Sequence, residues 1–336
     1  MPTAPIELTL AHSPDPDDAF MWWPITGKMN PDGTPVTGPD GRPAIDTGRW
    51  RFRAIPADIE VLNRRAASPA EMPQYDITAL SVRCWADVRD RYAITTCGAS
   101  FGDGFGPKVV ARAPTATPGA SGPVIRCEGC LRPANENIAV PGKRTTAFMM
   151  LSMILGRESV LAAPDRFVEM PFDQIIGAVA RGEYQGRPIH AGLVIHEGQL
   201  TFGDAGLRLV IDVGEWWKEE TGLLLPLGVN AVRRDLDARF GAGAMREVCD
   251  LLRASVAYSM DRREESTRYT LPFAMANVAR GGGQAPTMER LDRYCSMYVS
   301  EETREMGERG RQAIERLLGE GAKAGACPEV GRVGLV

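Results

Sequence analysis

His190-Ala-Gly-Leu-Val-Ile-His-Glu-Gly-Gln-Leu-Thr-Phe202 is the stretch on which the reading of this chain turns. Ala191 to Ile195 is a short apolar run with two β-branched members, the composition of a buried strand. It runs into His196, with Glu197 next and Gly198 able to turn the backbone. A titratable side chain just past the carboxyl end of an internal strand lies where open α/β sheets bind ligands. Imidazole titrates near neutrality, so it can accept or donate a proton at working pH. The same position suits a hydrogen-bonded structural histidine, and the rest of the chain has to decide between the two.

Composition narrows the field. The 336 residues, 44% apolar and 24% charged, fit a globular protein of two units, or one unit interrupted by the other. A formal net charge of -4 gives no attraction to nucleic acid or to anionic membranes. No run of ~18 apolar residues is present to span a bilayer. The opening MPTAPIELTLAHSPDPDD has neither a basic n-region nor an apolar stretch of signal length, so a cytoplasmic location is expected. Seven cysteines, an odd number, read as buried hydrophobes or idle thiols in a reducing compartment. Cys127 and Cys130 form a single C-x-x-C, whereas a structural zinc site takes four ligands, so no metal and no cofactor is expected.

Strands and helices alternate outward from the His196 strand. Ile6–Ala11 reads as a first strand, leading through His12-Ser-Pro-Asp-Pro-Asp-Asp18 into a helix over Asp18–Ile25. Ser13, Asp15, Asp17 and Asp18 can each cap that helix, but capping needs one acid, and the surplus points to a polar, ligand-facing turn. A strand over Tyr75–Leu80 ends on Ser81 before a helix over Val82–Val88, and Gly98–Gly106 is dense in glycine without matching a P-loop or a dinucleotide fingerprint. Lys108–Arg112 reads as a strand, after which Ala113–Asn137 breaks the composition as a linker or surface hairpin. Gly142-Lys-Arg-Thr-Thr146 precedes an apolar helix over Ala147–Leu155; Thr145 and Thr146 either cap it or help cradle an anion or a carbonyl. Leu223–Val232 reads as a return crossing, and Ala242–Met260 and Met288–Leu318 as helices, with a flexible turn at Gly281–Gly283.

This pattern predicts an α/β protein with largely parallel sheets: a discontinuous larger domain over 1–112 and 228–336, and a smaller inserted domain over 113–227. Two lobes would then bring His12–Asp18, Ser81, Gly98–Gly106, Thr145, Thr146 and His196 to one cleft around a small-molecule ligand.

The motifs Ser13-Pro-x-Pro-x-Asp18, Val88-Arg-Asp-Arg-Tyr92, Pro141-Gly-x-x-Thr-Thr146, Ile195-His-Glu197 with Phe202, and Trp216-Trp-x-x-x-Thr-Gly222 with Leu225-Pro-Leu-Gly228 together resemble the 1,4-dihydroxy-6-naphthoate synthase family of the futalosine route to menaquinone. The resemblance implies a type II periplasmic-binding-protein-like fold working as an enzyme. It implies cleavage of cyclic dehypoxanthine futalosine to the dihydroxynaphthoate with loss of dihydroxyacetone. It also implies His196 as proton acceptor, Thr145 and Thr146 as a substrate-contacting pair, and Ala79-Leu80-Ser81 as a binding tripeptide; Ser13 and Asp18 belong to the matching loop.

Two departures stand out. The family's loop usually reads S-P-C-P-N-D-T-F and here reads S-P-D-P-D-D-A-F, adding Asp15 and Asp17; the tripeptide often begins with Lys and here begins with Ala79. Losing a cation and gaining two anions should weaken binding of a carboxylate unless Lys108, Lys143, Arg83 or Arg144 compensates. The expected mechanism has a neutral His196 removing a hydroxyl proton, followed by a retro-aldol-like C–C cleavage. Glu197 would tune the ring, although neighbours on a strand point to opposite faces. The competing readings are a solute-binding protein of the same fold, and a sister enzyme such as one of the chorismate dehydratase type.

Overall fold

The computed structural model describes residues 4–112, 136–281 and 285–336. In the first lobe β1 (Ile6–His12), β2 (Trp50–Pro56) and β3 (Ile77–Ser81) are parallel neighbours linked through α1 (Pro16–Thr26) and α2 (Ile59–Ala67). All five residues of β3 are buried, which explains its unbroken Ile-Thr-Ala-Leu-Ser run. α1 is apolar on every side and buried through Ile25, being packed between the sheet and later helices. Pro16 starts it with a preset φ, and Asp15 caps it by accepting the Asp18 N–H. α3 (Val82–Val88) and the short β4 (Tyr92–Ile94) and β5 (Ser100–Gly102) complete this half.

The second lobe holds β6 (Lys108–Arg112), β7 (Ile138–Val140), α4 (Thr146–Leu155), α5 (Arg157–Ala162), β8 (Phe167–Glu169), α6 (Ile175–Arg181), the hairpin β9 (Glu183–Tyr184) and β10 (Arg187–Pro188), β11 (Ala191–Val194), the one-turn α7 (Gly198–Thr201), β12 (Leu207–Asp212) and α8 (Val213–Thr221). The chain then returns to the first lobe through β13 (Leu225–Arg233). It finishes with α9 (Leu236–Phe240), α10 (Ala244–Asp261), α11 (Arg263–Gly281), α12 (Met288–Tyr298), α13 (Glu301–Arg304) and α14 (Gly307–Lys323).

The two sheets repeat one plan. The first runs β2-β1-β3-β13-β4, with β5 also on β13; the second runs β8-β7-β11-β6-β12. In each, the strand that arrives by a crossing (β13 or β6) is antiparallel to its neighbours, so the sheets are mixed rather than largely parallel. The division at 112/113 follows the composition break, yet β6 bonds entirely to β11 and β12, so the polypeptide changes sheets before Lys108. The Ala113–Asn137 break falls in sequence between β6 and β7, two strands of the second sheet; most of it, with Cys127 and Cys130, lies outside the described residues, as does most of the turn at Gly281–Gly283.

α11 is a helix that the apolar pattern does not reveal. Its core-facing positions include Ser266, Thr267, Thr270 and Asn277, all buried, and Pro272 sits in its middle. Likewise Met288–Leu318 is three helices, broken at Val299 and Glu305, the latter with an extended backbone.

α11 and α12 belong to the first lobe but clasp the second. Arg280 Nε pairs with Asp173 Oδ2 at 2.7 Å, Arg290 pairs with Asp204, Asn277 Nδ2 donates to Glu197 Oε1 at 2.7 Å and Tyr298 OH to Gln199 Oε1 at 2.7 Å. The lobes are thus closed on each other. No helix among the described residues is long and apolar enough to cross a membrane.

Candidate active site

Between the lobes lies a cavity of about 90 Å³. Its walls include Ser13, Asp18, Ala79, Leu80, Ser81, Thr145, Thr146 and His196, the binding and catalytic residues that the family resemblance named. Asp15, Asp17, Gly98 and Ser100 join them, but His12 does not. His12 is buried at the end of β1 with its Nδ1 on Ser13 O at 2.8 Å, and burial lowers its pKa.

Several of these side chains are already bound by the fold. Thr145 Oγ1 accepts the Phe148 N–H at 3.1 Å and donates to Gly142 O at 2.7 Å, which makes it the N-cap of α4. Thr146 Oγ1 donates to Leu227 O at 2.7 Å. The threonine pair therefore caps and staples the crossing strand, and α4 brings its N-terminus, not free hydroxyls, to the cavity wall. Ser81 is likewise fixed, its Oγ accepting from Asn63 Nδ2 and its N–H donating to Asn63 Oδ1, both at 3.0 Å.

His196 is different. Following β11, its backbone turns through φ +54°, a left-handed conformation uncommon for a residue with a Cβ. The turn swings the ring against the edge of Phe172 (centroids 4.6 Å apart) and brings Nδ1 to 2.5 Å from Asp15 Oδ2. Nε2 is buried without a partner. Glu197 lies past the end of β11, where strand alternation does not apply, and its Oε1 accepts from the Asn277 amide.

The acids of the loop do not act as three negative charges. Burial alone would push the Asp15 carboxyl up, but the charge and hydrogen bond of His196 hold it down at about 2. Burial also works against a charged His196, and Asp15 overrides it, raising the imidazole to about 10. Asp17 is pushed well above the carboxylate range by burial and by the charges of Asp15 and Asp18, and accepts from Tyr294 OH at 2.8 Å. Asp18 is raised to about 8 by burial and by Asp15, and accepts the Ser13 N–H at 2.6 Å. The directions favour one Asp15–His196 ion pair with the Asp17 and Asp18 carboxyls drawn toward their neutral forms. These directions bear on two expectations: the loop carries less negative charge than three carboxylates would, and Asp15 favours the charged form of His196 over the neutral form expected from sequence.

A correction concerns the compensating cations. Lys108 pairs with Asp212, Arg83 and Arg144 with Asp87, and Lys143 reaches Pro164 O; none lines the cavity. Among the described lining residues there is no Lys or Arg, and His196 is the one side chain able to carry positive charge.

Asp15, Asp17 and His196 place polar atoms within 4.8 Å of one another, but the Asp15–His196 pair commits one carboxylate and the imidazole to each other rather than to a metal. Sequence reading missed Gln199, Asn230, Tyr294 and Tyr298, all on the wall. The tyrosines had a signal: four residues apart, they share one face of α12 with Leu291 and Cys295, whose side chains are core. Asn230 lies inside an apolar strand and leaves Oδ1 unpartnered.

Asp18 supports a prediction about stability. Its pKa is raised on folding, so its contribution is fully present below the ordinary carboxylate value near 4 and is lost as pH rises through about 8. His196, also raised, works in the same direction up to about 10. Asp18→Asn keeps an oxygen for the Ser13 N–H and removes the Asp18 share of that loss. The variant should therefore show a smaller fall in Tm between pH 5 and pH 9 than the parent, read by calorimetry; an equal fall would mean Asp18 stays ionised.

Comparison with known proteins follows the same outline. The chain matches the menaquinone biosynthesis family over residues 8–323. It is 33% identical over 318 residues to a 1,4-dihydroxy-6-naphthoate synthase from Thermus thermophilus, covering 95% of each chain. It is 31% identical over 324 residues to the synthase of that name from Streptomyces coelicolor, covering 96% of each. Among solved structures, protein AF1704 from Archaeoglobus fulgidus superposes with a TM-score of 0.70 at 35% identity, over 95% of this chain and 98% of that one. The alkanesulfonate-binding protein SsuA from Xanthomonas axonopodis pv. citri gives 0.58 at 11% identity, over 98% and 97%, a likeness of fold alone: the periplasmic-binding-protein-like two-lobed architecture.

Proposed function

This chain belongs to the menaquinone biosynthesis family, and from that premise we propose that it is a carbon–carbon lyase of the 1,4-dihydroxy-6-naphthoate synthase type. Its substrate would be cyclic dehypoxanthine futalosine and its products the dihydroxynaphthoate and dihydroxyacetone. The observation that carries the reading is His196 Nε2, buried and unpartnered on the wall of the interlobe cavity.

Charge dictates the order of proton transfers. Because the ring is protonated at rest, Nε2–H donates first, to the carbonyl oxygen of the retro-aldol unit. The C–C bond breaks, its electron pair forms the enol, and the proton of the departing hydroxyl passes to the vacated Nε2. The ring ends as it began, and aromatisation drives the reaction forward. The N-terminus of α4 at Thr145–Ala147 presents backbone donors suited to the substrate carboxylate in the absence of a lining Lys or Arg.

Incubating the protein with cyclic dehypoxanthine futalosine and following dihydroxynaphthoate by mass tests this reading. Product should appear with the wild type. Binding without product would put the chain with the solute-binding proteins whose fold it shares. A cytoplasmic site of action belongs to the same proposal and is tested by cell fractionation.

A further inference from the structure

We infer that Asp15 is the positioning residue for His196, and that closure of the lobes is what completes the pair. The inference rests on His196 being the proton-transferring group proposed above, and four observations carry it.

Asp15 is 2% exposed and both its oxygens are committed: Oδ1 accepts the Asp18 N–H at 3.2 Å and Oδ2 meets His196 Nδ1 at 2.5 Å. The cap bond fixes the carboxylate plane to α1, so Oδ2 is a stationary acceptor. Second, with Nδ1–H on Asp15, the remaining ring nitrogen is the one that faces the cavity, and the Phe172 edge contact keeps the ring from rotating away. An orienting carboxylate on one imidazole nitrogen, with the other reserved for substrate, is the arrangement by which acid–base histidines hold their tautomer.

Third, the partners come from different lobes: Asp15 from the β1–α1 turn, His196 from the end of β11. Opening the cleft separates them, strips the ring of its counter-charge and leaves Asp15 with its cap alone. Proton transfer competence is therefore assembled on closure, together with the substrate enclosure. Fourth, Asp15 is the carboxylate that meets the ring. Of the other ionisable groups about it, Asp17 accepts from Tyr294, Asp18 from Ser13, Glu197 through Oε1 from Asn277 and Asp58 through Oδ1 from the Glu60 N–H, and among the described residues the ring nitrogens bond to none of them.

Asp15→Asn separates positioning from folding, because asparagine caps helices as well as aspartate does. It removes the charge and can present an amide N–H to Nδ1, which favours the wrong tautomer. The His196 Cε1–H resonance, followed by NMR in histidine-labelled protein against pH, should titrate far above a free imidazole in the wild type. In Asp15→Asn it should fall by at least one pH unit, and Asp15→Glu should recover part of the shift. Turnover should drop roughly tenfold to a hundredfold in Asp15→Asn with KM little changed, and the pH profile should move with the ring. An unmoved His196 titration, or a kcat at the wild-type level in Asp15→Asn, overturns the inference. Wild-type protein that titrates as described but yields no dihydroxynaphthoate overturns the proposed reaction and leaves the pair standing.

Discussion

His196→Ala lowers turnover on the order of a hundredfold or more while leaving the fold intact, because it removes the one nitrogen among the described lining residues able to trade protons with a ligand in the cavity. Alanine carries a cost of its own: at φ +54° it sits in a region L-residues avoid, and Asp15 is left buried without its counter-ion. His196→Asn controls for both effects, since asparagine tolerates the left-handed backbone and can meet Asp15 with an amide, yet cannot exchange a proton. Both variants should be inactive, and the asparagine protein should melt closer to the wild type. Near-full turnover in His196→Asn would remove His196 from the mechanism. The assay is dihydroxynaphthoate formation by mass, with circular dichroism melting in parallel.

The largest effect on stability is expected at Trp217. The ring is 1% exposed on α8, packs in the core shared by the lobes, and donates from Nε1 to Leu224 O at 2.9 Å where the chain turns into β13. Trp217→Ala deletes that volume and orphans a buried carbonyl, a loss of about 3–5 kcal/mol. Tm should fall on the order of 10 °C. Because β13 belongs to the first sheet and α8 follows the last strand of the second, the loss should lower one transition for both lobes. Two separated calorimetric transitions, with only one moved, would mean that Trp217 stabilises a single lobe.

Much of the site could be read along the chain because it is made of strand ends. The Ala191–Ile195 run, the Ser13–Asp18 turn, Ser81 after β3 and the threonines before α4 each carry a local signature, an apolar run stopped by a polar residue. The cavity wall then follows from the fold class. What stayed hidden is non-local. The membership of β6 depends on which strands it bonds to, and its own sequence fits either sheet. α11 presents buried hydroxyls and an amide where a periodic pattern needs apolar residues. The charge of His196 depends on Asp15, 181 positions away along the chain and 2.5 Å away in space. Read as separate residues, three acids suggest repulsion of an anion. Placed together under one buried imidazolium they become one ion pair and two carboxyls drawn toward their neutral forms.

The clasp formed by α11 and α12 sets the rate at which the cavity exchanges its contents. Two of its four bonds, Arg280–Asp173 and Arg290–Asp204, are ion pairs whose arginines stay 48% and 40% exposed at the rim, where dissolved ions reach them. The other two, Asn277–Glu197 and Tyr298–Gln199, are shielded. At ~1 M salt the Debye length shrinks to about 3 Å, and each rim pair loses up to ~1 kcal/mol. Ionic strength then acts as a throttle: stopped-flow dissociation of the naphthoate product should quicken up to about tenfold between low and high salt. Arg280→Gln with Arg290→Gln should be fast at both. A dilute-salt preparation would turn over slowly because it releases slowly, with its chemistry unimpaired.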